Sequence, residues 1–357
     1  MKAILANKEL KKALTIFKKV PKSTLNFSRV MLIRANVEGK LIIRYDNAFD
    51  RVTWYSGANY IGEDRWIDMK DLESAIHGKT TEIEATEKGL NVNGIPVEVQ
   101  NALDFDIPVP TMPTIPFGNE LREAYLSCLD AASTKDYEDK QPTGFQRHQL
   151  CNVCWDKNGF TGTNGKILIH VEKNGQDGDP IFIPSFPVIP AIMKAEEGKL
   201  GIAEGYDENT GRRMFAMYGE KFGYNTSRSM RSYPGYHAVM TNGYGPDFIF
   251  PDTVTPLIPA FGNKMGADDD MLCIRDNALV TKLGPNPIQM ETHLNEVAGD
   301  PELKSIMLRQ KFLKMCFDRG ITSLRFAHRQ QFWGENDGTY ITFMPCAHKV
   351  DPDGKSA

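Results

Sequence analysis

The chain has 357 residues, enough for two or three domains at roughly 100–200 residues each. Its 41% hydrophobic and 25% charged residues are those of an ordinary globular protein, and no apolar run approaches the ~18 residues that would suggest a membrane span. A net charge of −4 excludes a chain that is basic all over, so any contact with nucleic acid must come from a local concentration of Lys and Arg.

The N-terminus, Met1 to Lys8, turns polar too soon for the apolar core of a signal peptide. The six cysteines (Cys128, Cys151, Cys154, Cys273, Cys316 and Cys346) are too sparse for a disulfide framework. Both readings point to a cytoplasmic protein with reduced thiols.

Taken along the chain, Leu10, Leu14 and Phe17 fall at helical spacing and predict a helix over 8–20. A second helix follows a short apolar lead-in over 66–76, with Met69, Leu72 and Ile76 on one face. Short alternating stretches at 82–85, 89–92 and 95–99, separated by Gly turns, predict strands. The Pro-rich run 108–116 reads as a linker. The same series then starts again. Leu121, Tyr125, Leu126 and Leu129 predict a helix over 119–133, and 181–193 repeats the apolar lead-in and helix. Pro187 suits a first turn there, while Pro190 is costly any deeper. Strands are expected at 200–203, 214–218 and 221–224. A second boundary falls near 242–246. A helix over 252–265 is weakened by Pro256 and Pro259; 305–317 supplies another lead-in and helix, and strands follow at 323–327, 331–333 and 339–343.

The pattern is therefore helix, strands, helix, strands, passed through three times at a spacing of about one third of the chain. The expected domains are 1–113, 114–245 and 246–357. Three unrelated α+β domains are the alternative.

Basic residues concentrate on these helices. Lys8, Lys11, Lys12, Lys18 and Lys19 surround the apolar stripe of the first, with Lys22 just beyond. Lys70 sits on the second helix of the first repeat, Lys194 and Lys199 on or after that of the next, and Arg309, Lys311, Lys314 and Arg319 on that of the last. Such faces can hold phosphates without reading bases, or can simply be solvated. The helix over 119–133 is not basic, so any common lining would be uneven.

Other motifs carry less. Cys151-x-x-Cys154 with His148 upstream lacks a second Cys pair and reads as a strand rather than a zinc site. Asp268-Asp269-Asp270 reads as a solvated loop. Gly159-x-x-Gly162 and Gly243-x-Gly245 lack the context of a phosphate-binding loop. Seven scattered histidines offer no paired ligands or general base. No catalytic residue, metal or cofactor is expected.

Several segments resemble the bacterial β sliding clamp, the processivity factor of the replicative polymerase. Leu10 to Leu14 through Thr24-Leu25 and Val30 to Ile33 looks like that family's first helix, loop and strand. Thr163-Asn164-Gly165-Lys166-Ile167-Leu168 stands where the family has Thr-Asp-Gly-His-Arg-Leu. Arg228 to Tyr236, ending Tyr233-Pro234-Gly235-Tyr236, is similar to its Phe/Tyr-Pro-Asp-Tyr stretch, and Met344-Pro345-Cys346 to its closing Met-Pro-Met. The resemblance implies an α+β DNA-clamp fold, with helices lining a ring of two chains and six domains and sheets outside. It implies a homodimer around double-stranded DNA that tethers the polymerase and other DNA-processing proteins, is opened by a clamp loader, and is not an enzyme. It implies DNA contacts from Lys11, Lys12, Lys18, Lys19, Lys70, Lys194, Lys199, Arg309, Lys311 and Lys314, with Lys22 where the family has an Arg. It also implies a partner-peptide pocket at Leu150, Thr163, Gly165, Lys166, Leu168, Thr241, Thr342, Met344 and Pro345. Departures from the family at Lys166-Ile167, Thr241 and Thr342 make that pocket more polar. Two rivals stand beside this reading: a clamp-fold scaffold that does not encircle DNA, and an unrelated α+β enzyme using Cys151 and Cys154.

Overall fold

A computed structural model describes residues 2–21, 30–47, 49–87, 89–100, 107, 110, 114–133, 150–207, 212–227, 233–240, 247–250, 271–275, 278–283, 288–293, 296–297, 305–327 and 331–344. The elements begin with β1 (Lys2–Ala6), α1 (Asn7–Phe17), β2 (Val30–Ala35), β3 (Lys40–Asp46), β4 (Asp50–Asn59), β5 (Arg65–Asp68), α2 (Met69–Ala75), β6 (Thr80–Thr86), β7 (Gly89–Val92) and β8 (Ile95–Val97). Next come β9 (Ile115–Pro116), α3 (Asn119–Leu129), β10 (Asn152–Asp156), β11 (Gly159–Thr163), β12 (Ile167–Val171), β13 (Ile181–Pro184), α4 (Val188–Ala195), β14 (Gly201–Asp207), β15 (Arg212–Tyr218) and β16 (Phe222–Thr226). The last series is β17 (Asp247–Ile249), β18 (Met271–Arg275), β19 (Ala278–Leu283), β20 (Ile288–His293), β21 (Glu296–Val297), β22 (Ser305–Arg309), α5 (Gln310–Phe317), β23 (Ser323–Ala327), β24 (Gln331–Asn336) and β25 (Thr339–Phe343).

One unit recurs through this order: a strand, a helix, then three antiparallel strands. It opens at β1, β5, β9, β13 and β22. The helix expected over 252–265 lies outside the described residues. Each expected apolar lead-in is a strand, and its helix begins where the strand stops. This places Pro190 in the first turn of α4, where its missing N–H has no intrahelical acceptor to lose, so the expected cost does not arise. The last lead-in, Ser305–Arg309, is a full strand, so Arg309 precedes α5 rather than lying on it.

The chain forms two compact units. Met1–Glu123, Ser133–Asn152 and Ile181–Tyr233 make the first. It holds a sheet of order β1-β6-β7-β8 and a sheet of order β5-β2-β3-β4-β16-β15-β14-β9. Alternation assigns the faces of the larger sheet. Leu41, Ile43 and Tyr45 on β3 point into the core with Val52 and Trp54 of β4, and the Phe17 ring of α1 stacks on Tyr45 at 6.4 Å. α1 also packs against α4. Across the β4–β16 junction the buried Tyr224 hydroxyl donates to Asp50 Oδ1 at 2.7 Å. The β7–β8 hairpin turns on Asn93-Gly94, both at positive φ (52° and 79°), the geometry a two-residue hairpin loop needs.

The second unit comprises Ala124–Ala132, Val153–Pro180 and Pro234–Ala357. Within it β10-β11-β12-β25-β24-β23-β17-β21 are neighbours in one sheet, and β20-β19-β18-β22 form another. Its core face carries Phe160, Ile167, Ile169, Ile341, Phe332 and Phe343, with Phe312 of α5 at 5.5 Å from Phe343. The C-terminal end of α3 lies directly on β11. A Cβ on Gly162 would stand 2.1 Å from the Cys128 carbonyl oxygen, so only glycine allows that approach.

Candidate functional site

The basic residues sit on the helices' exposed sides because the apolar stripe faces inward. On α1, Leu10, Ala13, Leu14, Ile16 and Phe17 are buried, Lys8 and Lys11 are exposed, and Lys12 is half-buried. Lys18 and Lys19 follow in the turn beyond. The Lys18 ammonium forms an ion pair with Glu73 of α2, which ties the end of α1 to that helix. Lys70 is exposed on α2, Lys194 on α4 and Lys199 beyond it. The first unit thus brings α1, α2 and α4, with seven of the expected DNA-contacting lysines, into one body.

In the second unit Lys311 and Lys314 are exposed on α5, and Arg309 is half-buried just before it. Lys314 is paired with Asp318 one turn on, at 2.8 Å to Oδ1. Arg319 serves the fold: it donates to the carbonyls of Met315 and Ser127 and to Asp130 Oδ2 at 2.8 Å, joining the end of α5 to α3. Lys22 lies outside the described residues.

The expected peptide-pocket residues of the second unit gather at the junction of β12 and β25. Thr163, Leu168, Thr342 and Trp333 are successive partners across β11, β12, β25 and β24, so they share the sheet face opposite the helices. The β11–β12 turn is built by its own polar side chains. Asn164 Oδ1 accepts from the Lys166 and Ile167 amides, Thr163 Oγ1 donates to the Ile167 carbonyl at 2.7 Å, and Gly165 takes φ +82°. Met344, just past β25, donates its amide to the Lys166 carbonyl at 3.1 Å. Lys166 and Met344 are exposed, while Thr163, Leu168 and Thr342 are buried. The Thr342 hydroxyl donates to the Phe332 carbonyl, so the polar departure from the family is satisfied within the sheet. Leu150 falls in the first unit, and Thr241 and Pro345 lie outside the described residues.

The same face holds residues that sequence reasoning missed. His170 and Tyr340 lie one step along from Leu168 and Thr342, with rings 6.0 Å apart. Tyr236, on the 3-10 turn Tyr236–Val239, stacks over His170 at 5.5 Å and donates to Asp156 Oδ2 at 2.7 Å. His170 Nδ1 and Thr161 Oγ1 are 2.8 Å apart. Burial pulls the imidazole's pKa below its ordinary value, against the opposing pull of Glu172 and Asp156, while His237 adds to the lowering. Period-two alternation outward from Leu168 and Thr342 was the signal that could have found this aromatic cluster. Cys154 is a buried residue of strand β10, and Cys128 is a buried residue of helix α3 whose thiol pKa burial pushes well up.

No family model and no curated protein sequence matches the chain. Solved structures do. The Caulobacter crescentus pol III beta superposes with a TM-score of 0.75 at 13% identity, covering 98% of this chain and 100% of that one. DNA polymerase III subunit beta from Pseudomonas aeruginosa gives 0.71 at 14%, covering 98% and 100%. The Helicobacter pylori beta clamp bound to a DNA ligase peptide gives 0.68 at 14%, with the same coverage. The architecture is therefore the α+β DNA-clamp fold, with three sheet-rich domains. Its particular likeness is to bacterial DNA polymerase III beta clamps, and at these identities it is one of fold.

Proposed function

We propose that this chain is a sliding clamp, a homodimeric ring that encircles duplex DNA and tethers a polymerase and other DNA-processing proteins through their peptide tails. The observation that carries this reading is a pair of complementary sheet edges. Within the chain, β4 joins β16 and β12 joins β25, so each join matches the third of three consecutive strands with the last strand of the following repeat. Two strands in these positions have no such partner among the described residues: β8 ends the first sheet of the first unit, and β20 ends the second sheet of the second. Pairing β20 of one chain with β8 of another would apply the same rule between copies. Two chains with three repeats each (1–113, 114–245 and 246–357) would close a ring of six.

In this reading Lys11, Lys12, Lys18, Lys19, Lys22, Lys70, Lys194, Lys199, Arg309, Lys311 and Lys314 face DNA phosphates. Their contacts are weak and sequence-independent, so sliding stays fast while the closed ring prevents escape. The face around Thr163, Gly165, Lys166, Leu168, Thr342 and Met344 takes an aliphatic anchor from a partner's tail. No catalytic role is assigned to any residue. The relative bound to a DNA ligase peptide supports peptide docking as the mode of partner capture.

Light scattering across a dilution series tests this. A stable species near twice 40.1 kDa is the expected outcome, and a monomer at every concentration would overturn the ring. A scaffold that keeps the fold without encircling DNA is the second reading. It is favoured by the engagement of Lys18 and Lys314 with Glu73 and Asp318, and the two readings part on DNA binding.

A further inference from the structure

The first unit carries a cavity of about 520 Å³ on the outer face of its larger sheet, over β2, β3, β4 and the edge of β16. It lies at the β4–β16 junction, the place in the first unit that corresponds by strand order to the β12–β25 junction in the second. Among the described residues, Arg34, Arg44 and Arg51 line it and no carboxylate does. Asp46, its side chain 1% exposed, holds two of these guanidinium groups in place. Arg44 reaches its Oδ2 at 2.9 Å, and Arg51 Nε reaches its Oδ1 at 3.0 Å. Arg44 is further fixed over the Trp66 ring at 5.5 Å. Arg34 is more open, with Asp64 at 3.7 Å. Three guanidinium groups here stand beside two carboxylates, Asp46 and Asp64, among the described residues. Two exposed apolar side chains, Val37 and Tyr55, complete the wall, and Asn225 lies beside Arg51 on β16.

We propose that this cavity is a second peptide-docking site, taking an acidic and aliphatic segment of a partner protein. Planar guanidinium forks match carboxylates in pairs, and Val37 and Tyr55 offer contact to the aliphatic residues between them. A rigid sheet face with preset arginines spends little conformational entropy on binding. The chain as a whole is acidic, so a basic cavity on it selects acidic segments from a background that repels them. The comparison with the β12–β25 junction rests on the docking reading given above; the charge and shape of the cavity do not.

The test uses the full chain and a fluorescent, terminally blocked octapeptide of alternating Glu and Leu, read by anisotropy. Binding is expected to weaken at least tenfold in Arg34→Glu and to weaken less in Arg34→Gln, each checked for an unchanged melting temperature. It should fall with added salt and persist in Leu168→Asp, which addresses only the other junction. The octapeptide with Gln in place of Glu should bind at least tenfold more weakly. Equal affinity of wild type and Arg34→Glu would overturn the proposal, as would loss of binding in Leu168→Asp alone. An oligothymidylate that binds the cavity more tightly than the acidic peptide would assign it to nucleic acid and overturn it too. Docking at the β12–β25 junction fails separately, if Leu168→Asp leaves capture of replication-protein tails unchanged.

Discussion

A single glycine decides how closely a helix meets its sheet. Gly162 sits under the Cys128 carbonyl, and an added methyl there has no room because the obstacle is backbone. Gly162→Ala is expected to cost about 1–3 kcal/mol, the range for overpacking a tight core, and a urea titration would show it as a lower midpoint. An unchanged midpoint would mean α3 can lift without loss. His170 supplies a second test. Its pKa in the fold lies below the ordinary value of roughly 6.5, so between those two values the unfolded chain binds a proton that the folded one does not. Stability is therefore full above about pH 6.5 and falls as pH drops through the window beneath it. The melting temperature should decline from pH 7 towards pH 5, and His170→Gln should flatten that decline. A wild-type profile no steeper than the variant's would exclude His170 as its source.

At the scale of elements, the helices combine two kinds of residue with different jobs. The buried stripe of α1 anchors it, while Lys8, Lys11 and Lys19 remain on the exposed side. Reversing Lys11 and Lys19 to Glu leaves every buried contact in place. The expected result is intact folding with weaker DNA binding and a shallower dependence of affinity on salt, since each lost phosphate contact lowers the slope by about 0.9. Titration of a labelled duplex at several salt concentrations would reveal it. A slope unchanged from wild type would favour the scaffold reading. The same division explains why Arg319 does not belong with the exposed lysines: its guanidinium is turned back onto the end of α3, where it donates to the Ser127 carbonyl and the Asp130 carboxylate.

Over the whole molecule, the joins β4–β16 and β12–β25 are long antiparallel ladders that leave β8 and β20 as edges. Exposed edge strands invite pairing with another chain, and Ile95 on β8 is half exposed, at 50%. If these edges pair between copies, their amides exchange slowly. Hydrogen exchange in β8 and β20 is expected to speed up on dilution, while that of β12 and β25 stays constant. Equal and concentration-independent exchange in all four would remove these edges as the dimer contact.

Much of this was legible in the sequence. The recurring strand–helix–strands series of the described residues followed from periodicity and Gly and Pro punctuation, because spacing of apolar residues is a local property. The exposed side of α1 was readable for the same reason. Only the tertiary structure decided which strands of successive repeats adjoin, that Arg319 is structural, and that His170, Tyr236, Tyr340 and Trp333 share a face with Leu168 and Thr342. It also brought Arg34, Arg44 and Arg51 to one cavity. These depend on pairings between residues far apart along the chain, which no window of sequence contains. Strand register sets which side chains face together, and it is fixed by packing across the whole sheet.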